Sequence, residues 1–163
     1  MSKPNILLII SDHLSPRVIG AYGEAYSCTP NMDRIAARGT MLANAHANCP
    51  LCMPSRASFW TSRYPHETNV RSNGRNHENG PLPDDLVTAG DLFTADGYEA
   101  MHFGKEHDFG TLRGFERVPV QPRPSAQQPH PAWPENSDTE RDNDTAATCA
   151  DWLRQEHLSG KWQ

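Results

Sequence analysis

The sequence predicts an α/β fold with few strands, and three observations lead there. Asn5–Ser11 (Asn-Ile-Leu-Leu-Ile-Ile-Ser) is an unbroken apolar run without alternation, as a strand buried on both faces of a parallel sheet reads. Thr29–Gly39 carries helix start and stop signals at its two ends. Beyond it, extended and helical patterns continue, giving strand, helix, strand, helix, helix, strand, helix.

Taken in order, the first strand ends in Asp12-His13, just past its carboxyl end, where ligands of open α/β sheets sit. That place makes Asp12 a candidate ligand or catalytic carboxylate. Residues 15–28 hold Pro16, Gly20 and Gly23 and read as a loop with a short helical turn. The helix of 29–39 has Thr29 as its cap, Pro30 in its first turn, Asp33 early, Arg38 late and Gly39 as its stop. Met32, Ile35 and Ala36 give it an apolar face. Thr40–His46 reads as a second strand.

Next comes Cys52-Met53-Pro54-Ser55-Arg56. Proline suits the first turn of a helix, where its missing N–H costs nothing. A helix begun at Pro54 and running to Thr61 puts Cys52 at the cap, its sulfur toward free N–H groups and the positive end of the dipole. Arg56, about one turn on, can reach back to the same spot. The alternative is a buried structural cysteine before an ordinary helix.

Residues 69–84 are rich in Gly, Asn and Pro and read as a loop. Asp85–Asp96 reads as a helix and Tyr98–Phe103 as a strand running into Gly104-Lys105-Glu106-His107. In extended chain Lys105 and His107 point the same way, an anion and proton-transfer pair at a strand end. Residues 111–143 carry prolines and charges without a period and read as an irregular loop packing on something absent from the sequence. Asp144–His157 is a final helix, with Ala146, Ala150 and Leu153 inward.

The totals limit the function classes. A chain of 163 residues suits one domain, though 36% hydrophobic residues and 14 prolines are lean for a core. A net charge of −5 excludes a general nucleic-acid binder and a polybasic membrane protein. Between Met41 and His77 the only acid is Glu67, against Arg56, Arg63, Arg71 and Arg75, so the Cys52 region is a basic island suited to an anion. The apolar opening run is too short for a signal or membrane segment, which makes a cytoplasmic location the expectation. Cys49 and Cys52 form C-x-x-C, but no second pair completes a zinc set and Pro54-Ser55-Arg56 is foreign to redox motifs.

These residues resemble the sulfatases of the alkaline-phosphatase-like superfamily. Lys3–Asp12 is similar to the family's opening, and Thr29-Pro30-Asn31-Met32-Asp33-Arg34-Ile35-Ala36 follows its T-P-N-L-D-R-L-A. Cys52–Arg56 matches C-x-P-S-R, Thr61–Pro65 resembles T-G-R-Y-P, and Gly97–His107 resembles G-Y followed by G-K-W-H. The resemblance implies an alkaline-phosphatase-like sandwich with a largely parallel central sheet, of which 1–163 is the N-terminal portion.

It also implies roles. Cys52 would be oxidised to formylglycine by a formylglycine-generating enzyme, with Ser55 and Arg56 in the conversion signal. The formylglycine hydrate would be the nucleophile, steadied by Arg56. Asp12 would ligate a divalent cation, usually calcium, which would also contact the formylglycine made from Cys52; Lys105 and His107 would hold the sulfate and assist the leaving group. The substrate would be a small-molecule or saccharide sulfate ester. Where the family has a second Asp this sequence has His13, an imidazole better suited to manganese or zinc than to calcium. Glu106 stands where the family has Trp, placing an acid beside the anion site. The family's second metal-binding segment is not in the sequence, so the chain alone is expected to turn over little or nothing. The same nucleophile and cation would also serve a phosphonate or phosphate ester hydrolase, and a non-catalytic remnant is the remaining alternative.

Overall fold

The computed structural model describes residues 3–24, 27–74, 79–120 and 138–158. The chain divides into two compact units, Ile6–Pro50 and Leu51–Gln163 together with Met1–Asn5.

In the Ile6–Pro50 unit, both expected strands are replaced by irregular chain. A strand exists through a paired strand, and among the described residues no strand pairs with 5–11. The apolar side chains of that run are exposed, from 44% at Ile10 to 71% at Ile9. Thr40–His46 is broken by a turn closed by the Ala45 N–H on the Leu42 carbonyl at 3.3 Å.

Helix α1 spans Pro30–Arg38, as its punctuation predicts. The Thr29 hydroxyl does not cap it, however; it accepts from the Gly20 N–H at 2.8 Å and donates to Asp33 Oδ1 at 2.9 Å. Asp33 Oδ1 also accepts the Ala21 N–H at 2.8 Å, which ties α1 to the short 3-10 turn Gly20–Tyr22. Met32 and Ala36 are half-buried, whereas Ile35 is exposed.

The other unit is built on α2 (Cys52–Thr61), α3 (Pro65–Thr68), α4 (Ala89–Ala95), β1 (Met101–Phe103), β2 (Glu116–Val118) and α5 (Asp138–Leu158). Met53 and Ala57, one turn apart on α2, are buried with Val70, and Leu82 and Phe109 pack on them. Trp60, further along α2, is buried with its ring 5.1 Å from Phe115. Phe93 of α4 lies between Phe115 and Tyr98, at 6.5 and 5.5 Å and edge-on to both, so packed rings join α2, α4 and the entry to β2. Helix α4 starts later than the expected Asp85 because Thr88 is its cap. The Thr88 hydroxyl accepts the Asp91 N–H at 3.2 Å while Asp91 Oδ2 accepts the Thr88 N–H at 2.9 Å.

β1 and β2 form a parallel pair in the register Met101–Glu116, His102–Arg117 and Phe103–Val118. β1 is shorter than the expected Tyr98–Phe103. β2 falls inside the stretch read as an irregular loop, and α5 begins at Asp138 rather than Asp144. That loop reading therefore fails at both ends, and 121–137 lies outside the described residues. On α5, Ala150, Trp152 and Leu153 are half-buried but Ala146 is exposed. The helix docks on β1 through Phe103 and Trp152, ring centroids 5.8 Å apart and edge-on. Among the described residues no helix is long and apolar enough to cross a membrane.

Candidate active site

Cys52 is the first residue of α2, not its cap; Leu51 holds the cap position in extended conformation and makes no side-chain cap bond. Proline is tolerated anywhere in a first turn, since those N–H groups have no partner within the helix, and Pro54 takes the third position. The end of the helix is also less open than the sequence suggests. Pro54 has no N–H, and the Met53 N–H donates to Asn73 Oδ1 at 2.9 Å.

Arg56, half-buried one turn along α2, reaches the loop after β1, where its Nη1 donates to the Lys105 carbonyl at 3.3 Å. Cys52 and Arg56 thus lie one turn apart on α2, and Arg56 ties that helix to the loop that carries Lys105 within a single unit. Arg56 does so as a brace as well as a charge.

That loop is not the extended chain expected for Lys105 and His107. Gly104 turns it with φ 90°, and His107 has φ 37°. Side chains seldom adopt the left-handed region, and at Gly104 a Cβ would also meet Thr145 Cγ2 of α5 at 2.8 Å. Past the turn, the buried Asp108 carboxylate accepts the Leu112 N–H and its carbonyl accepts the Thr111 hydroxyl at 2.8 Å. His107 is held between these two anchors. Its Nδ1 is buried and has no hydrogen-bond partner among the described residues.

The acid at position 106 does not stand open beside the anion site. Glu106 Oε2 accepts Arg117 Nε of β2 at 2.8 Å, with both side chains about half exposed. His102 of β1 is held below its ordinary value, chiefly by burial. Glu106 and Asp108 oppose that shift, while Arg117 and Arg56 add to it. Burial thus favours the neutral imidazole.

Asp12 and His13 lie in the Ile6–Pro50 unit, both exposed, at a turn where His13 has φ 54°. They offer a carboxylate and an imidazole to a cation. Sequence reasoning missed Asn73, His102 and Arg117. Asn73 and Arg117 act across distances in sequence that no local motif spans, and His102 lay within a stretch read only as a strand.

Cys52 opens α2, and Arg56 on the same helix is braced to the Lys105 loop after β1, groups of the kind that an anion site on an α/β scaffold is built from. A sequence profile of the Sulfatase family matches residues 4–162, and the chain belongs to that family. The Δ4,5-hexuronate-2-O-sulfatase of Bacteroides thetaiotaomicron is 46% identical over 149 residues, covering 91% of this chain and 30% of the relative. Human steryl-sulfatase is 39% identical over 112 residues, covering 65% and 19%. A solved structure described as a 2-O GAG sulfatase superposes with a TM-score of 0.82 at 45% identity, over 93% of this chain and 32% of its own. The chain therefore spans about 30% of the length of the first of these relatives. It is an α/β fragment of the sulfatase fold. The family generally uses formylglycine and a divalent cation.

Proposed function

We propose that this chain is the nucleophile-bearing part of a sulfuric ester hydrolase for sulfated saccharides, with a 2-O-sulfated hexuronate as substrate class. The names of the relatives at 46% and 45% identity support the substrate. The chemistry rests most on one observation, the hydrogen bond to the Lys105 carbonyl from Arg56, which lies one turn after Cys52 on α2.

Cys52, converted by the formylglycine-generating enzyme, fits the nucleophile's place because it opens a helix at its positive end and is only half-buried. Formylglycine supplies, as its hydrate, an oxygen nucleophile that a thiol cannot replace. Arg56 and Lys105 bind the sulfate oxygens and oppose the charge that builds there, as fixed cations in a partly dry site do best. Glu106, neutralised by Arg117, does not oppose them. His107 moves a proton to the leaving oxygen, and the unpaired buried Nδ1 is what supports that role.

Calcium is the cation we propose, with Asp12 as one ligand. Calcium takes at least about six oxygens, and Asp12 with His13 falls well short of that set. His13 would favour manganese if it bound. We assign no step to the cation.

Paired aryl sulfate and aryl phosphonate substrates, given to the intact hydrolase that carries this chain, test the reading, with Cys52→Ala as the control. Faster sulfate hydrolysis, lost in the control, is expected; faster phosphonate hydrolysis, or activity that survives the substitution, overturns it.

A further inference from the structure

A helix normally has its first free N–H groups satisfied by the residue just before it, through a Ser, Thr, Asp or Asn side chain. Helix α2 has Leu51 there, which has no such group. The cap comes instead from a loop twenty residues on, where Asn73 Oδ1 accepts the Met53 N–H at 2.9 Å.

Asn73 is itself held in place. Asn79 Oδ1 accepts the N–H groups of Arg71 and Ser72 at 2.7 and 2.9 Å, and its Nδ2 donates to the carbonyls of Ser72, at 3.0 Å, and Gly74. The Gly80 N–H closes the loop on the Asn69 carbonyl at 3.0 Å. Val70, at the start of the loop, is fully buried against Met53 and Ala57. The loop therefore grips Met53 twice, by its amide and by its side chain.

The Met53 amide belongs to the same planar peptide unit as the Cys52 carbonyl. Fixing that N–H fixes the plane, and with it the backbone angle that aims the Cys52 side chain. It also removes one N–H from the donors open at the positive end of α2. We propose that Asn73 is a positioning residue for Cys52, coupling the segment 69–74 to the Cys52 side chain. What Cys52 then does rests on the sulfatase reading above; the positioning does not.

The test uses the full chain with Cys52 unconverted. Amide exchange is followed by NMR, and iodoacetamide alkylation of Cys52 is followed by mass spectrometry with half-buried Cys149 as the internal reference. In the unsubstituted protein the Met53 amide should be protected despite lying in the first turn. Asn73→Ala should speed its exchange about tenfold, as expected for one lost hydrogen bond, and Asn73→Asp, which keeps the acceptor, should restore protection. Asn73→Ala should also change the Cys52 alkylation rate at least about threefold relative to Cys149, within the span of one hydrogen bond.

An unprotected Met53 amide in the unsubstituted protein overturns the proposal, even if Asn73→Ala does not fold. An unchanged Cys52-to-Cys149 ratio with a deprotected Met53 also overturns it, leaving Asn73 as a cap and nothing more. Failure of Cys52 to be converted would sink the sulfatase reading and leave these results standing.

Discussion

Replacing Gly90 with Ala is the sharpest test of how the Leu51–Gln163 unit is assembled. Gly90 is buried near the start of α4, in an ordinary helical position, so no left-handed φ is at stake. Intrinsic propensity alone would make the alanine stabilising by about 1 kcal/mol. Space decides otherwise. A Cβ at Gly90 falls on the Arg113 carbonyl oxygen and lies 2.7 Å from Phe115 Cδ2. At Gly114, which faces it, an added Cβ would lie 2.9 Å from the Asp91 nitrogen. Backbone meets backbone, so relief requires the whole 113–115 turn to move.

Overpacking of this kind costs about 1–3 kcal/mol, and the absence of a flexible side chain puts this case at the upper end. Net of propensity, the expected loss is about 2 kcal/mol, or roughly 4–8 °C in Tm for a chain of this length. Gly97→Ala is the matched control. It has open space but φ 79°, so it should cost about 1 kcal/mol from backbone conformation alone. Thermal unfolding followed by circular dichroism measures both. A Gly90→Ala protein as stable as the parent, or more so, would refute the close approach of α4 to the 113–115 turn. The functional consequence lies two residues on, since that turn leads into β2 and Arg117, the partner of Glu106.

Other outcomes follow from single contacts. Asp91 is held below its ordinary value of 3.8, first by the Thr88 N–H and, among smaller causes, by Arg113; burial opposes the shift. A depressed carboxylate adds stability above its unfolded pKa and loses it as pH falls through the folded one. Asp91→Asn should therefore lower Tm at pH 7 and narrow its gap from the parent near pH 3; a constant gap would refute this. In the intact hydrolase that carries this chain, Arg56→Lys should impair aryl sulfate turnover nearly as much as Arg56→Ala, by about 10²–10³-fold for loss of one charge-stabilising donor. An ammonium has no fork with which to brace Lys105 and bind an oxyanion together, so full rescue by lysine would contradict the assigned role. Cys49→Ser should leave turnover unchanged, because no step uses a Cys49–Cys52 pair; loss of activity would revive the thiol-redox reading.

What was legible in the sequence was local chemistry. The bounds of α1 follow from Pro30 and Gly39, and the positive end of α2 from Cys52 and Pro54. The exact start of α2 was not legible, because proline is tolerated throughout the first turn although it favours the first position, and here Pro54 takes the third. Neither were features that depend on distant partners. Asn5–Ser11 has the composition of a strand, but a ladder needs a neighbour, and the run lies exposed. β2 is three residues of mixed charge, Glu116-Arg117-Val118, and is a strand only because β1 lies beside it. The spacing of Lys105 and His107 suggests one shared direction, but the left-handed turns at Gly104 and His107 replace the extended chain that this needs. The acid at Glu106 looked adverse until Arg117 was seen to hold it. Asn73 had no signal at all, since a cap normally adjoins its helix.

The central claim is that Cys52 is a precursor and not a thiol catalyst. Its most direct test is mass spectrometry of the tryptic peptide 39–56 after co-expression with a formylglycine-generating enzyme, using aldehyde-specific labelling and Cys52→Ala as the blank. The account predicts a labelled aldehyde at position 52 in the parent and none in the blank. A Cys52 that remains a thiol, while another sulfatase in the same cells is converted, would contradict it.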